Sequence, residues 1–540
     1  MYNAIFFTEV TQEDHNGVDI PLGAFKVASC LRQKDYNVLV VNHYSKWTFE
    51  ELKDLLNLVV NQETKLVGFS TTFLKQIAKP FGIVKRKKPV VELQWHSRDL
   101  IHPEESLEEP IVSYIKSINP NIKFCVGGAI VHPNFKNKLI DYAFIGYSET
   151  AIVNLMNHLS NGEELRHSYK NIYGVNIIDD RLAPDYDFVN DTMVWEDTDI
   201  VNHKVLPLEL GRGCIFNCSF CSFPLRGKKN LDYLRHKEII KNELLYMYEK
   251  YGIKHYRIVD DTFNDHNDKL LAFRDIVKSL PFQPYFWAYI RLDLLTTRPE
   301  TIDLLYDIGI RSMYFGIETM NEKTGRSIGK GFSRDRQNQT ISLIKEKYPD
   351  IVLHGSLIVG FTEDTPENIK NTFERLKNRE VKLDTWELRT LILFKNDQTA
   401  FKSDFEEDPE AHGFYDIFDN TGKQWNSWKN KNWTFEEARN LAQSLMFHSY
   451  NLPHFMIRGE QQFGYVNYGY ELSELVKTPR HKWNFDKVKN EDNPKFIDNY
   501  KRILLKLIQD KLKDAGRQDK GRPAAFQAED RGVRLSLPAP

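Results

Sequence analysis

Cysteine is scarce in this chain. There are five in 540 residues, too few for a disulfide scaffold, and a reducing compartment is expected. An excess of one charge is also missing. Lys and Arg number 73 against 75 Asp and Glu, a formal net charge of -2, so no global basic field draws the protein to nucleic acid and no such partner is expected. No run approaches the roughly 18 apolar residues of a membrane-spanning helix. The amino terminus, Met1 to Val10, has neither the basic segment nor the long apolar stretch of a signal peptide. These absences predict a soluble, cytoplasmic protein with no membrane partner. What is present is bulk for a core. Hydrophobic residues make up 41% and aromatics 13%, which excludes wholesale disorder. At roughly 150 residues per domain the length suggests three or four domains.

Three of the five cysteines fall within eight residues, in the stretch Gly211 to Cys221, GRGCIFNCSFC. Cys214, Cys218 and Cys221 are spaced C-x3-C-x2-C. Three thiols this close cannot all pair with one another, but they can converge on one metal centre. An iron–sulfur cubane takes four cysteines, and the other two, Cys30 and Cys125, are distant in sequence. A four-iron cluster formed here leaves one iron without a protein thiolate. The alternative is a structural zinc site completed by His203 or His236, although zinc sites usually come as two C-x2-C pairs or as Cys/His pairs. Cys30 and Cys125 lie in apolar patterns and read as small core residues.

The flanking segments alternate strands and helices. From residue 1 to about 160, strands are expected at Ala4–Phe7, 37–41, 66–69, 124–126 and Tyr142–Ile145, with helices from Pro21, from Thr48 (a capping box with Glu51) and from Ser148. This predicts an α/β, doubly wound, Rossmann-like parallel sheet, which binds ligands at the carboxyl ends of its strands. Three such ends carry hydroxyls or bare backbone suited to a polar, phosphate-bearing tail: Ser70-Thr71-Thr72, Gly127-Gly128 and Gly146-Tyr147. Residues 74 to 107 form a long polar insertion with a basic run at 85–88, expected to be solvated. Residues 161–200, rich in Asn, Asp and Pro, read as a linker. From 201 to 400 six strand–helix units recur, with strands at 205–210, 255–259, 285–291, 313–318, 354–360 and 386–393. Polar residues where strands end fit a barrel with its site at the carboxyl-terminal mouth. Residues 401–515 read as a mainly helical cap over that mouth, with Trp425, Trp428, Trp433 and Tyr450 as core aromatics. Residues 516–540 read as a disordered or vector-derived tail.

The cysteine spacing, with Phe220 just before the last cysteine, resembles the signature of the radical S-adenosylmethionine (radical SAM) enzymes. The order that follows it, Asp260-Asp261, Arg291, Gly-x-Glu318 and Gly355-x4-Gly360, resembles their open six-stranded partial barrel. The preceding domain, with Gly127-Gly128-Ala129 and Gly146-Tyr-Ser-Glu149-Thr, resembles the cobalamin-binding domain that comes before many such cores, although Ser148 stands where that lineage has a second glycine.

The resemblance implies a [4Fe-4S] cluster held by Cys214, Cys218 and Cys221, with S-adenosyl-L-methionine on the open iron. It implies Phe220 beside the adenine, Asp260 and Asp261 near the SAM ammonium, Glu318 in contact with SAM and Arg291 on the SAM carboxylate. Ser356, Ile358 and Leu391 would line the adenine. Cobalamin would lie on Ser70, Thr71, Thr72, Gly127, Gly128, Gly146 and Tyr147. His15, in Glu13-Asp-His15-Asn-Gly17, has part of a cobalt-ligand pattern but reads as a solvated loop residue. The activity implied is radical methylation of an unactivated carbon of a small-molecule or peptide substrate, with an external electron donor such as flavodoxin or ferredoxin. The alternatives are a radical cyclase or rearrangement enzyme with a cobalamin domain, a methylthiotransferase, which would need a second cysteine cluster, and a non-catalytic zinc-stabilised binding protein.

Overall fold

The computed structural model describes residues 1–9, 18–70, 110–128, 131–181, 183, 185–228, 233–331, 333–394, 401–417 and 427–519. Thr71, Thr72, His15, Trp425 and the basic run at 85–88 therefore lie outside the described residues.

Two sheets organise the chain. The first has seven strands: β1 (Ala4–Phe7), β2 (Val38–Val41), β3 (Leu66–Ser70), β4 (Lys123–Gly127), β5 (Tyr142–Ile145), β6 (Ser168–Lys170) and β7 (Asn176–Asp179), in the order β2-β1-β3-β4-β5-β7-β6. All pairings are parallel except β6 with β7. The order 2-1-3-4-5 is that of a doubly wound sheet whose ligand crevice lies where the strand order reverses, between β1 and β3. The central strands are continuous apolar runs because helices cover both faces. β6 and β7 correct the expected linker, since residues 168–179 extend this sheet rather than connect domains.

The second sheet has six parallel strands in chain order: β8 (Val205–Leu208), β9 (His255–Ile258), β10 (Tyr285–Ile290), β11 (Ile310–Glu318), β12 (Val352–Val359) and β13 (Thr385–Thr390). With β8 and β13 as its edges, this is an open partial barrel. One hydrophobic core runs from Phe6 and Ile152 of the first domain through Leu206 and Phe315 of the barrel to Trp428.

The C-terminal region departs from the expected cap over the mouth. Helix Gly459–Val466 closes the amino-terminal floor of the barrel. Gly459 packs against Ser312 and Trp287, and Asn467 accepts the backbone N–H of Lys204 and Val205 where β8 begins. Helix Phe435–Ser449 covers the open edge, with Trp386 Nε1 donating to Ser449 Oγ at 2.8 Å. The last helix, Asn493–Asp519, lies on the first sheet's far side, where Phe496, Tyr500, Leu504 and Ile508 join that core. It continues past Gly516, where the tail was expected to begin. The segment around 403–417 reaches the mouth, where Phe405 N–H donates to Ser219 O at 3.3 Å. Among the described residues no helix is long and apolar enough to cross a membrane.

Candidate active site

The cysteine loop begins where β8 ends, and its shape is fixed by the main chain. Leu210 N–H donates to Asp260 Oδ1 (2.8 Å), Cys214 N–H to Leu225 O (3.1 Å), Lys228 N–H to Cys214 O (2.9 Å) and Cys221 N–H to Cys218 O (3.0 Å). Gly213 has φ +111°, and a Cβ there would stand 2.7 Å from Leu225 O, so only glycine makes this turn.

Each of the first two sulfurs has its own neighbours. Cys214 Sγ lies 3.3 Å from Thr262 Oγ1. Cys218 Sγ receives Arg291 Nη1 at 3.4 Å and lies 3.8 Å from Gly329 O. The Arg291 guanidinium is stacked 3.6 Å above the Phe216 ring, paired with Asp293 at 2.9 Å and bonded to Gly329 O at 2.8 Å. Its donors are directed at a cysteine sulfur, a carboxylate and a backbone carbonyl. Burial, together with the charges on Cys218, Asp261 and Cys214, pushes the Cys221 thiol up to about 11. The three sulfurs thus feel one another, and a bound cation is what would favour the thiolates.

The donor set is three soft sulfurs, which suits an iron–sulfur cluster rather than a hard cation. No three His, Cys, Asp or Glu among the described residues surround a single-ion site. The zinc alternative also loses its fourth ligand. His203 precedes β8, at the other end of the strand, with Nε2 3.4 Å from His43 Nε2 and Nδ1 2.8 Å from Val201 O. His236 is an exposed residue at a helix start. Cys30 and Cys125 are buried in the first domain, in a helix and a strand, and burial raises both thiols. They supply no second cluster.

The two aspartates after β9 part ways. Asp260 is 1% exposed, receives Leu210 N–H and pairs with Lys269 at 2.7 Å. It anchors the cysteine loop. Asp261 is half-buried and electrostatically felt by Cys214 and Cys221. Burial, then Asp260 and Glu209, lift its carboxyl to about 7, and an ammonium at this point would relieve that penalty. Glu318 ends β11 beside a register shift, with φ +65° and Lys330 Nζ at 3.2 Å. A left-handed glutamate stores strain of the kind found at ligand clamps. Phe220 packs edge-on against Phe361 at 5.7 Å. Ser356 Oγ donates to Glu387 Oε1 at 3.1 Å and Ile358 is half-buried beside Arg389. Leu391 is 4% exposed, and its carbonyl accepts Trp428 Nε1; this places it in the wall behind the mouth.

A second cavity, of about 240 Å³, lies at the strand ends of the first domain. Ser70, Gly127, Gly128, Gly146 and Tyr147 all line it, with an apolar wall of Phe6, Leu22, Phe69, Phe144 and Ile152. Gly146, with φ +83°, admits no Cβ, because Arg181 O would stand 2.3 Å away. The sequence did not reveal who closes the cavity. Glu209 and Arg212, from the barrel, form its far side. Arg212 pairs with Glu149 (2.8 Å) and Glu209 (3.0 Å) and stacks over Tyr147 at 4.3 Å. Burial opposes the charge of Glu209, but Arg212 and Lys26 prevail and hold it near 2. The one available signal was Arg212's place in the motif, two residues before Cys214. The cavity thus abuts the root of the cysteine loop.

Residues 208–376 match the radical SAM superfamily. This chain carries a radical SAM domain. Over 296 residues, half of the chain, it is 25% identical to an uncharacterised methyltransferase of Pyrococcus horikoshii, 61% of which is covered. Over 190 residues, 35% of the chain, it is 24% identical to a bacteriochlorophyllide d C-12(1)-methyltransferase of Chlorobaculum tepidum, 40% of which is covered. The chain thus spans less than two thirds of the length of these curated relatives. Among solved structures, the cobalamin-dependent radical SAM enzyme OxsB with aqua-cobalamin bound superposes with a TM-score of 0.58 at 12% identity, covering 97% of this chain and 82% of that one. The radical SAM methyltransferase TsrM of Kitasatospora setae, with tryptophan and a SAM analogue bound, gives 0.56 at 15% identity, covering 78% and 79%. At these identities the likeness is one of fold, and it extends through the sheet that precedes the radical SAM domain.

Proposed function

We propose that the protein is a cobalamin-dependent radical SAM methyltransferase. The observation that carries this reading is the shared wall. Arg212 lines the cavity of the first domain and stands two residues from Cys214, so a ligand in that cavity and a cluster on the cysteines would be neighbours. Fit supports it on both sides. The cavity joins an apolar wall to a rim of hydroxyl, backbone and guanidinium, as the nucleotide tail of cobalamin requires. The three sulfurs suit a [4Fe-4S] cluster with one open iron.

When bound, these groups supply the chemistry: the cluster and SAM a 5′-deoxyadenosyl radical, and cobalamin a transferable methyl group. The chain's own residues hold and shield them. Cys214, Cys218 and Cys221 ligate the cluster, and Arg291 neutralises the Cys218 sulfur. Asp261 takes the SAM ammonium, Glu318 holds SAM from its strained turn, and Phe220 packs along the adenine with Ile358 near it. Asp260 and Lys269 fix the loop. Ser70, Gly127, Gly128, Gly146 and Tyr147 bear cobalamin. The substrate is a small molecule or peptide methylated at carbon, and an external flavodoxin or ferredoxin supplies electrons in the cytoplasm.

Anaerobic purification with hydroxocobalamin tests this reading. The expected result is about four irons and one cobalamin per chain, with SAM converted to 5′-deoxyadenosine and S-adenosylhomocysteine. Cluster and deoxyadenosine without cobalamin would leave a radical enzyme that does not transfer methyl groups.

A further inference from the structure

One carboxylate oxygen in the wall of the first-domain cavity has no donor. Glu149 opens the helix Glu149–Asn161 that follows β5. Ile152, one turn further on and on the same helix face, lines the cavity together with it. Glu149 is 4% exposed, and its Oε1 pairs with Arg212 Nη1 at 2.8 Å. Among the described residues its Oε2 is buried and accepts no hydrogen bond. A buried acceptor left without a donor is costly and uncommon in a native fold.

Both cations of the cavity lining are paired. Arg212 directs Nε to Glu209 Oε1 and Nη2 to Glu209 Oε2, each at 3.0 Å, besides its bond to Glu149 Oε1. Lys26 is buried against Asp191 and lies 3.4 Å from Glu209. Neither reaches Glu149 Oε2. Phe6, Leu22, Phe144 and Ile152 of the same lining are apolar. What the wall offers at this point is therefore an acceptor in apolar surroundings, suited to a neutral N–H and unsuited to an anion.

We infer that Glu149 Oε2 receives a carboxamide N–H from the rim of the corrin ring, and so makes the cavity select a fully amidated corrinoid over one with a free carboxylate at that side chain. The inference deepens the functional proposal and rests on its assignment of cobalamin to this cavity. Cobalamin carries primary carboxamides around its ring, each with two N–H donors. Hydrolysing the amide that meets Glu149 replaces the donor with a carboxylate, and two charged oxygens then face one another out of water. The acid is refused twice over, by the lost hydrogen bond and by like-charge repulsion. Glu149 is thus a specificity residue for the edge of the ring.

Equilibrium dialysis of the anaerobically reconstituted protein tests this without turnover. The probes are hydroxocobalamin and its monocarboxylic acids, a set in which each side-chain amide is hydrolysed in turn. At least one acid is expected to bind the wild type about tenfold more weakly than hydroxocobalamin. Glu149→Gln, neutral and still an acceptor, should bring that acid to within about threefold of hydroxocobalamin, and Glu149→Ala should do the same. Urea midpoints and iron content show that the variants remain folded, and the wild-type comparison stands without either. All acids binding the wild type as tightly as hydroxocobalamin, or a penalty that both folded variants retain, would overturn the inference. Failure of the wild type to bind hydroxocobalamin at all would instead contradict the functional proposal, so the two failures are distinguishable.

Discussion

Arg291 Nη1 lies 3.4 Å from Cys218 Sγ, held there by Asp293 on one side and the Phe216 ring beneath it. A buried positive charge beside a cluster thiolate stabilises the more negative, reduced state. Arg291→Gln should therefore lower the cluster's reduction potential, on the order of 50 mV, equivalent to roughly a tenfold change in a one-electron equilibrium. An EPR-monitored redox titration checks this. An unchanged potential would mean that the arginine serves only packing.

Asp260 and Asp261 are adjacent and chemically alike, yet they should fail differently. Asp260→Asn breaks a buried ion pair with Lys269 and should cost about 3 kcal/mol or more of folding stability, the scale for removing one partner of a buried pair. Asp261→Asn removes a carboxylate for which charge is already unfavourable, so the fold should tolerate it. Its effect should appear as weaker SAM binding, read by calorimetry beside urea denaturation.

How these residues could be read from the chain depended on what defines them. The central strands of both sheets are buried on both faces and announce themselves as apolar runs, and the capping box at Thr48 forms as its spacing implied. β6 was not legible: Ser168, Tyr169 and Lys170 are all exposed, and only pairing with β7 makes them a strand. Adjacent residues leaving a strand point in opposite directions, so the sequence Asp-Asp could not show which one anchors the loop. The roles of Arg212 and Lys330 depend on contacts with Glu149 and Glu318, which are distant in the chain. The placement of the last helix on the first domain was hidden for the same reason, because an amphipathic face does not name its partner.

Arg212 joins the two domains at the cavity. Arg212→Met would leave the buried Glu149 and the half-buried Glu209 with their shared cation removed. A loss of about 3–5 kcal/mol is expected, with reduced cobalamin retention after gel filtration. Glu149→Gln, which keeps the Arg212–Glu209 pair, should lose less of both.

The buried His43–His203 pair sets an acid limit. Burial, chiefly, lowers His203 from 6.5 to about 4 and holds His43 well below its usual value. For a histidine lowered in the folded state, protonation favours the unfolded chain, so stability is intact above about pH 6.5 and falls as pH drops toward 4, by on the order of 3 kcal/mol for His203. Asp19, raised to about 6 by burial, gives a slope of opposite sign over part of this range. The comparison is therefore between the wild type and His203→Phe, whose urea midpoint should fall less steeply from pH 6.5 to 4.

The most direct measurement is iron and sulfide content, visible absorbance and SAM cleavage of anaerobically reconstituted wild type beside Cys218→Ala. The account predicts a brown wild-type protein with about four irons that releases 5′-deoxyadenosine under a strong reductant, and a variant that does neither. A colourless wild type, or a variant that still cleaves SAM, would contradict it.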